Sequence, residues 1–177
     1  EFRRVLFRSQ AAFKPELFVN HYGSSEIYTF TIDQNATAKP GSAGRAGINQ
    51  MVRVVKLGAA SPAQAAKANE EGEIAALLAG DESFEGYWRR PEADAKALRD
   101  GWYFTGDTGY FDDDGDLFVT GRVDDMIITG GENVSPVEIE SCLSLHEAVS
   151  EVAVVGLPDE RWGKVVTAFI KDRKSTR

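Results

Sequence analysis

The chain has 177 residues, 42% of them apolar and 27% charged, with a formal net charge of −8. That acidity argues against nucleic acid or an anionic membrane as partner, and the absence of an apolar run of about 18 residues argues against a membrane span. The single cysteine, Cys142, cannot form an internal disulfide and fits a reducing, cytoplasmic compartment.

The two ends read as translated linker rather than protein. With one choice of codons, the DNA for residues 172–177 has a reverse complement that encodes the segment Arg4-Val5-Leu6-Phe7-Arg8-Ser9 when read one base in. Residues 1–9 and 172–177 are therefore expected to be adapter-derived and are excluded from fold reasoning. They carry six Lys/Arg against two Asp/Glu, which leaves the interior at −12.

Residues 13–22 form an apolar approach to Tyr22-Gly23-Ser24-Ser25-Glu26. Residues 27–32 alternate and are rich in β-branched and aromatic side chains, predicting a strand. Residues 35–47 predict a loop, with Lys39-Pro40-Gly41-Ser42 as turn signals. Residues 51–57 and 72–78 predict strands, and the Ala-rich 59–71 an irregular surface loop. Phe84, Tyr87 and Trp88 predict an aromatic cluster. Pro91 at an early position and Gly101 past the end predict a helix over 91–98.

Residues 102–104 predict extended chain. Residues 109–111 and 117–119 flank Asp112-Asp113-Asp114-Gly115-Asp116 and predict a hairpin. Residues 125–129 predict a short strand. Ser135-Pro136-Val137-Glu138 reads as a capping box opening a helix to about Leu145, with Val137, Ile139, Cys142 and Leu143 buried. Residues 152–156 and 165–170 predict strands. The chain contains neither an internal repeat nor a low-complexity tract.

Several stretches carry chemistry. In Tyr22-Gly23-Ser24-Ser25-Glu26, a tight glycine turn brings amides close to an anion. The hydroxyls add donors, and a following carboxylate suits Mg²⁺, which prefers oxygen ligands and phosphates. Many loops contain such a pentapeptide. Asp107, after Thr105-Gly106, has the chemistry to hold a ribose diol, although capping a turn is the commoner use of such an Asp. Arg122 offers a fork for ribose or phosphate oxygens, or for a surface ion pair with nearby Asp residues. Gly130-Gly131 is either a plain turn or a place where a thin ligand passes close to backbone.

Together, in order and spacing, Gly101-Trp102-Tyr103-Phe104-Thr105-Gly106-Asp107, Gly121-Arg122-Val123-Asp124-Asp125 and Gly130-Gly131-Glu132-Asn133, read with residues 22–26 and 158–163, resemble the adenylate-forming (AMP-binding) superfamily. They look closest to its acyl-CoA ligase branch, and within it to aryl-type ligases such as the benzoate and 4-chlorobenzoate CoA ligases. The resemblance covers residues 13–171. It implies an α/β fold. Residues 10–121 would be the C-terminal part of the large AMP-binding domain, including a distorted β-barrel. Residues 122–171 would be the hinge and the start of a small mobile α+β domain.

The implied roles follow residue by residue. Tyr22 would lie against adenine, with Gly23, Ser24 and Ser25 at the α-phosphate. Ser25 stands where the family more often has Thr. Glu26 would hold Mg²⁺, and Asp107 and Arg122 the ribose hydroxyls of ATP or AMP. Asp124 matches the hinge. Gly130, Gly131 and Trp162 would line the CoA path, and His21 would either adjoin the acyl group or be a buried structural histidine. The implied activity is ATP- and Mg²⁺-dependent ligation of a carboxylic acid to CoA through an acyl-adenylate. The family's upstream phosphate loop, most of its acyl pocket and its C-terminal lysine motif are not among these residues, so the chain by itself is expected to be inert and poorly stable. Two other readings remain. One is an adenylate-forming enzyme that does not use CoA, luciferase-like or loading a carrier protein. The other is a non-catalytic nucleotide-binding remnant.

Overall fold

The computed structural model describes residues 11–173. The expected linker segment 1–9 lies outside the described residues, as do 174–177 of the segment at the other end. The chain divides between Val119 and Thr120 into two compact units.

The first unit is strand-rich. Strands β1 (Asn20–Tyr22), β2 (Thr31–Asp33) and β3 (Arg45–Ala46) form an antiparallel sheet. Strands β4 (Val52–Lys56), β5 (Gly72–Leu77), β6 (Leu98–Arg99), β7 (Trp102–Phe111) and β8 (Leu117–Arg122) form another, in the order β4-β5-β7-β6 with β8 also on β7. Helix α1 (Pro91–Ala97) begins on its proline. The core follows from alternation along β5. Ala76 packs with Ile27, Phe30 and Tyr103, Ile74 with Val54, Ala43 and Leu117, and Ala75 with Val55, Trp102 and Phe104. Arg99 and Arg53 lay their guanidinium groups over Phe104 and Trp102, at 4.1 and 4.4 Å from the ring centroids.

The second unit contains β9 (Ile127–Thr129), β10 (Glu132–Val134), helix α2 (Pro136–Ser144), β11 (Val149–Asp159) and β12 (Gly163–Asp172). β9 pairs with β10 and β11 with β12, both antiparallel. The least exposed residues of α2 are the buried Pro136 and the half-buried Ile139, Glu140, Leu143 and Ser144, the spacing of one helical face. Glu140 ties the helix to β11 by accepting the Val154 amide at 2.8 Å. The element order gives a mixed, sheet-rich α/β chain.

Five expectations change. Residues 27–30 are not strand: the Ser24 hydroxyl oxygen accepts the amides of Glu26 and Ile27, so these donors serve a turn instead of a ladder. Residues 102–104 and 109–111 are one strand, β7. Ser135 stands at the start of α2, but its side chain forms no capping bond, so the capping box is not made. Val137 and Cys142 are exposed, because they fall off the Pro136–Leu143 stripe. The expected aromatic cluster also loses Trp88, which is 84% exposed, and gains Tyr103, whose ring meets Phe84 edge-on at 5.5 Å.

Candidate functional site

Antiparallel pairing of His21 with Ile32 and of Tyr22 with Thr31 fixes the end of β1 and hands the chain to a tight loop. The loop closes through Ser24 N–H to the Ile27 carbonyl (3.0 Å) and Phe30 N–H to the Tyr22 carbonyl (2.9 Å). Glycine is required at its first corner: a Cβ on Gly23 would lie 1.8 Å from the Tyr28 carbonyl oxygen. Ser25 is exposed, while the hydroxyl oxygen of Ser24 faces the loop amides. His21 is exposed, with Nε2 3.0 Å from the Thr29 hydroxyl and its ring 5.1 Å from that of Tyr28.

Asp107 approaches from the other sheet. Along β7, Phe104 pairs with Ala75 and Thr108 with Glu73, so Thr105, Gly106 and Asp107 together oppose Ile74. This is a bulge, which re-aims side chains out of the pleat. Thr105 anchors it by donating its hydroxyl to the Ile74 carbonyl (3.0 Å) and accepting the Asp107 amide (3.0 Å). The Tyr22 hydroxyl donates to Asp107 Oδ2 at 2.6 Å. Burial, then the Asp107 charge and this hydrogen bond, push the Tyr22 phenol far above its ordinary range. Tyr22 is thus a fixed donor and Asp107 an oriented acceptor.

Glu26 is held from a third stretch. Its carbonyl accepts the Phe84 amide (2.8 Å), and its Oε1 accepts the Tyr87 hydroxyl (2.7 Å). Partial burial raises the Glu26 carboxyl, but hydrogen bonds from Tyr87 and Ser24 outweigh it and hold the carboxyl below the usual range. Glu26 is therefore ionised at neutral pH. An ionised carboxylate beside serine hydroxyls and a glycine turn is a donor set that suits Mg²⁺ bridging to phosphate.

In the second unit, Gly130-Gly131 is the two-residue turn between β9 and β10, with φ of +58° and +89°, the pattern of a primed hairpin turn. The Gly130 amide donates to the Trp162 carbonyl at 3.0 Å. The indole crosses so close that a Cβ on Gly130 would meet its Cε3 at 2.8 Å. Asp159 Oδ1 accepts the amides of Arg161 (2.9 Å) and Trp162 (2.8 Å), fixing the β11–β12 turn. So the three residues read for CoA come together. Arg122 and Asp124 are exposed, at the end of β8 and in the turn after it.

Two residues escaped the sequence reading. Tyr87 was visible only as part of an aromatic run. Lys39 stood among turn signals, yet its Nζ lies 2.7, 2.8 and 2.6 Å from carboxylates of Asp112, Asp114 and Asp116. Among the described residues these three acids are the group spaced to hold a metal, and an ammonium occupies their centre.

Residues 138–176 match the AMP-binding enzyme C-terminal domain family. The chain is 45% identical over 152 residues to a 4-chlorobenzoate–CoA ligase of Arthrobacter sp., an alignment covering 86% of the chain and 28% of that relative. It superposes on o-succinylbenzoate CoA synthetase of Bacillus subtilis in complex with the acyl-adenylate OSB-AMP, with TM-score 0.79, 32% identity, and 95% of this chain covered against 34% of that one. The same synthetase in complex with ATP and magnesium ion gives TM-score 0.77, 32% identity, and coverage of 93% and 34%. The chain thus spans about a third of the length of the proteins it matches.

Proposed function

Because this chain belongs to the AMP-binding, adenylate-forming enzyme superfamily, we propose that it is part of an acid–thiol ligase that activates a carboxylic acid with ATP and passes it to CoA. The observation that carries the reading is the bond from Tyr22 to Asp107, which joins the ends of two motifs 85 residues apart. Asp107 accepts the ribose hydroxyls, and Tyr22 presents its ring to adenine while fixing that carboxylate. Gly23, Ser24 and Ser25 face the α-phosphate, and Arg122 adds cationic hydrogen bonds to the ribose. His21 adjoins the acid. The match to an aryl-acid ligase and to a succinylbenzoate synthetase favours an aromatic acid.

Glu26 would hold the magnesium ion. When bound, Mg²⁺ neutralises phosphate oxygens that otherwise repel an attacking carboxylate. The acid's oxygen then forms a bond to the α-phosphorus as the bond to pyrophosphate breaks. In the second step the thiol sulfur of CoA, losing its proton, attacks the acyl carbon and AMP leaves. Asp124 is the hinge between these steps, and the boundary between the two compact units, at Val119 and Thr120, supports that position. Gly130, Gly131 and Trp162 line the path of the pantetheine arm. We assign residues 10–121 to the AMP-binding domain and 122–171 to the mobile domain. Among the described residues no helix is long and apolar enough to cross a membrane, and the acidic balance and single cysteine support a cytoplasmic setting.

The test uses the intact protein and a panel of carboxylic acids. Acid-dependent ATP–pyrophosphate exchange, followed by CoA-dependent release of AMP and an acyl thioester, is the expected result. Exchange without any CoA-dependent product would leave adenylation standing and overturn ligation to CoA.

A further inference from the structure

The contact between Tyr87 and Glu26 is built from several directions. Ile27 bridges Ser83, and the Phe84 amide binds the Glu26 carbonyl at 2.8 Å, so the two segments run side by side. The Tyr87 amide is fixed in turn by Asp94 of α1, whose Oδ1 accepts it at 2.8 Å. The Tyr87 ring meets Phe84 edge-on at 5.0 Å, and Phe84 meets Tyr103. Backbone, ring and amide are thus all held before the hydroxyl reaches Glu26 Oε1 at 2.7 Å.

We infer that Tyr87 is a positioning residue for the metal-binding carboxylate: its hydroxyl binds one oxygen of Glu26 and aims the other at the ion. This rests on the reading of Glu26 as the magnesium ligand. A carboxylate on a loop has two soft torsions, and a metal that demands near-ideal octahedral geometry penalises any misdirection. Hydrogen bonds from outside the ligand set supply that aim, and losing one costs metal affinity on the order of 10–100-fold. The position of Tyr87, 61 residues downstream of Glu26, makes the stretch before α1 part of the nucleotide site.

The experiment titrates Mn²⁺ into the intact protein with saturating ATP, following free Mn²⁺ by electron paramagnetic resonance. Glu26→Gln tests the underlying reading and Tyr87→Phe the inference. Tyr87→Phe keeps the ring packed on Phe84 and should weaken Mn²⁺ binding roughly tenfold. Asp94→Ala frees the Tyr87 amide while leaving the hydroxyl, and should act in the same direction with smaller amplitude. If Glu26→Gln binds Mn²⁺ like the parent, the magnesium assignment itself fails. If Glu26→Gln loses the metal while Tyr87→Phe binds it normally, even with a lowered melting temperature, Tyr87 is structural and the inference is overturned.

Discussion

Asp107 and Tyr22 set different expectations for two small substitutions. Asp107→Ala removes the acceptor for a ribose diol, and hydrogen bonds to a charged group are worth about 1.5–3 kcal/mol each. It should lower kcat/KM for ATP by on the order of 100-fold, measured by pyrophosphate exchange. An unchanged enzyme would sink the ribose assignment. Tyr22→Phe keeps the ring against Phe30, whose centroid is 5.0 Å away, and loses only the 2.6 Å bond. Its cost should be smaller, about 3–10-fold, since Asp107 keeps its place on the bulge but loses its aim. The pH dependence has a definite sign. A phenol pushed up in the folded state contributes stability below its ordinary pKa of about 10, and that contribution is lost as pH rises above it. Loss of the Tyr22 donor therefore does not limit ATP use at neutral pH. Each residue was legible in the sequence as a member of a motif. Their bond was not, because nothing local to either motif records a partner 85 residues away.

At the scale of the element, the β7–β8 hairpin shows what a pattern conveys and what it omits. Asp and Gly between apolar flanks declared the turn, and Tyr110 and Phe118 stack across it at 5.2 Å. The pattern did not show that Asp112 Oδ1 accepts the amides of Asp114 and Asp116, nor that Lys39 enters from a distant loop. Lys39 holds the carboxyls of Asp112 and Asp116 below their usual range, with Arg45 adding to the effect on Asp116. Their contribution to stability is thus complete above the ordinary carboxylate pKa, about 3.9, and is lost as pH falls through the depressed values. Carboxyl carbon resonances in a pH titration should show both groups titrating low. In Lys39→Met, three carboxylates within 4.8 Å repel one another, so both should move above 3.9. Normal values in the parent would contradict the cage. The β9–β10 turn makes a matching case. Gly130→Ala combines a positive φ with a clash against the Trp162 indole, and should lower the stability of the second unit by about 1–3 kcal/mol. Trp162→Ala removes the clash but not the φ, so a double-mutant cycle should recover part of the cost. Helix α2 was legible as an element through Pro136, and its shielded face in part, through Ile139 and Leu143; Val137 and Cys142 are also apolar but are exposed. Only the direction of packing on β11 decides among them.

At the scale of the whole chain, the two units differ in how much they bury. The first places Ile27, Phe30, Ile74, Val55, Leu117 and the aromatics Trp102, Tyr103 and Phe104 almost wholly out of solvent. In the second, the hydrophobic residues buried among those described are Ile127, Val149 and Val154, while Leu145, Val155, Leu157, Val165, Phe169 and Ile170 are between 40% and 85% exposed. Apolar burial is the dominant favourable term in folding, and small units fall short of it first. The long β11–β12 ladder does not compensate, because a two-stranded ribbon with exposed faces is marginal in water. The expectation of poor stability therefore belongs mainly to the second unit. In native-state hydrogen exchange on this chain, amides of β4, β5 and β7 should be the slow set. Those of β11 and β12 should exchange by a lower-energy opening that leaves the first unit intact. Exposed apolar strand faces also promote association, so protection of β11 and β12 should rise with protein concentration while that of β5 stays constant. Equal and concentration-independent protection across both units would mean that the second unit is as stable as the first, against the burial it shows.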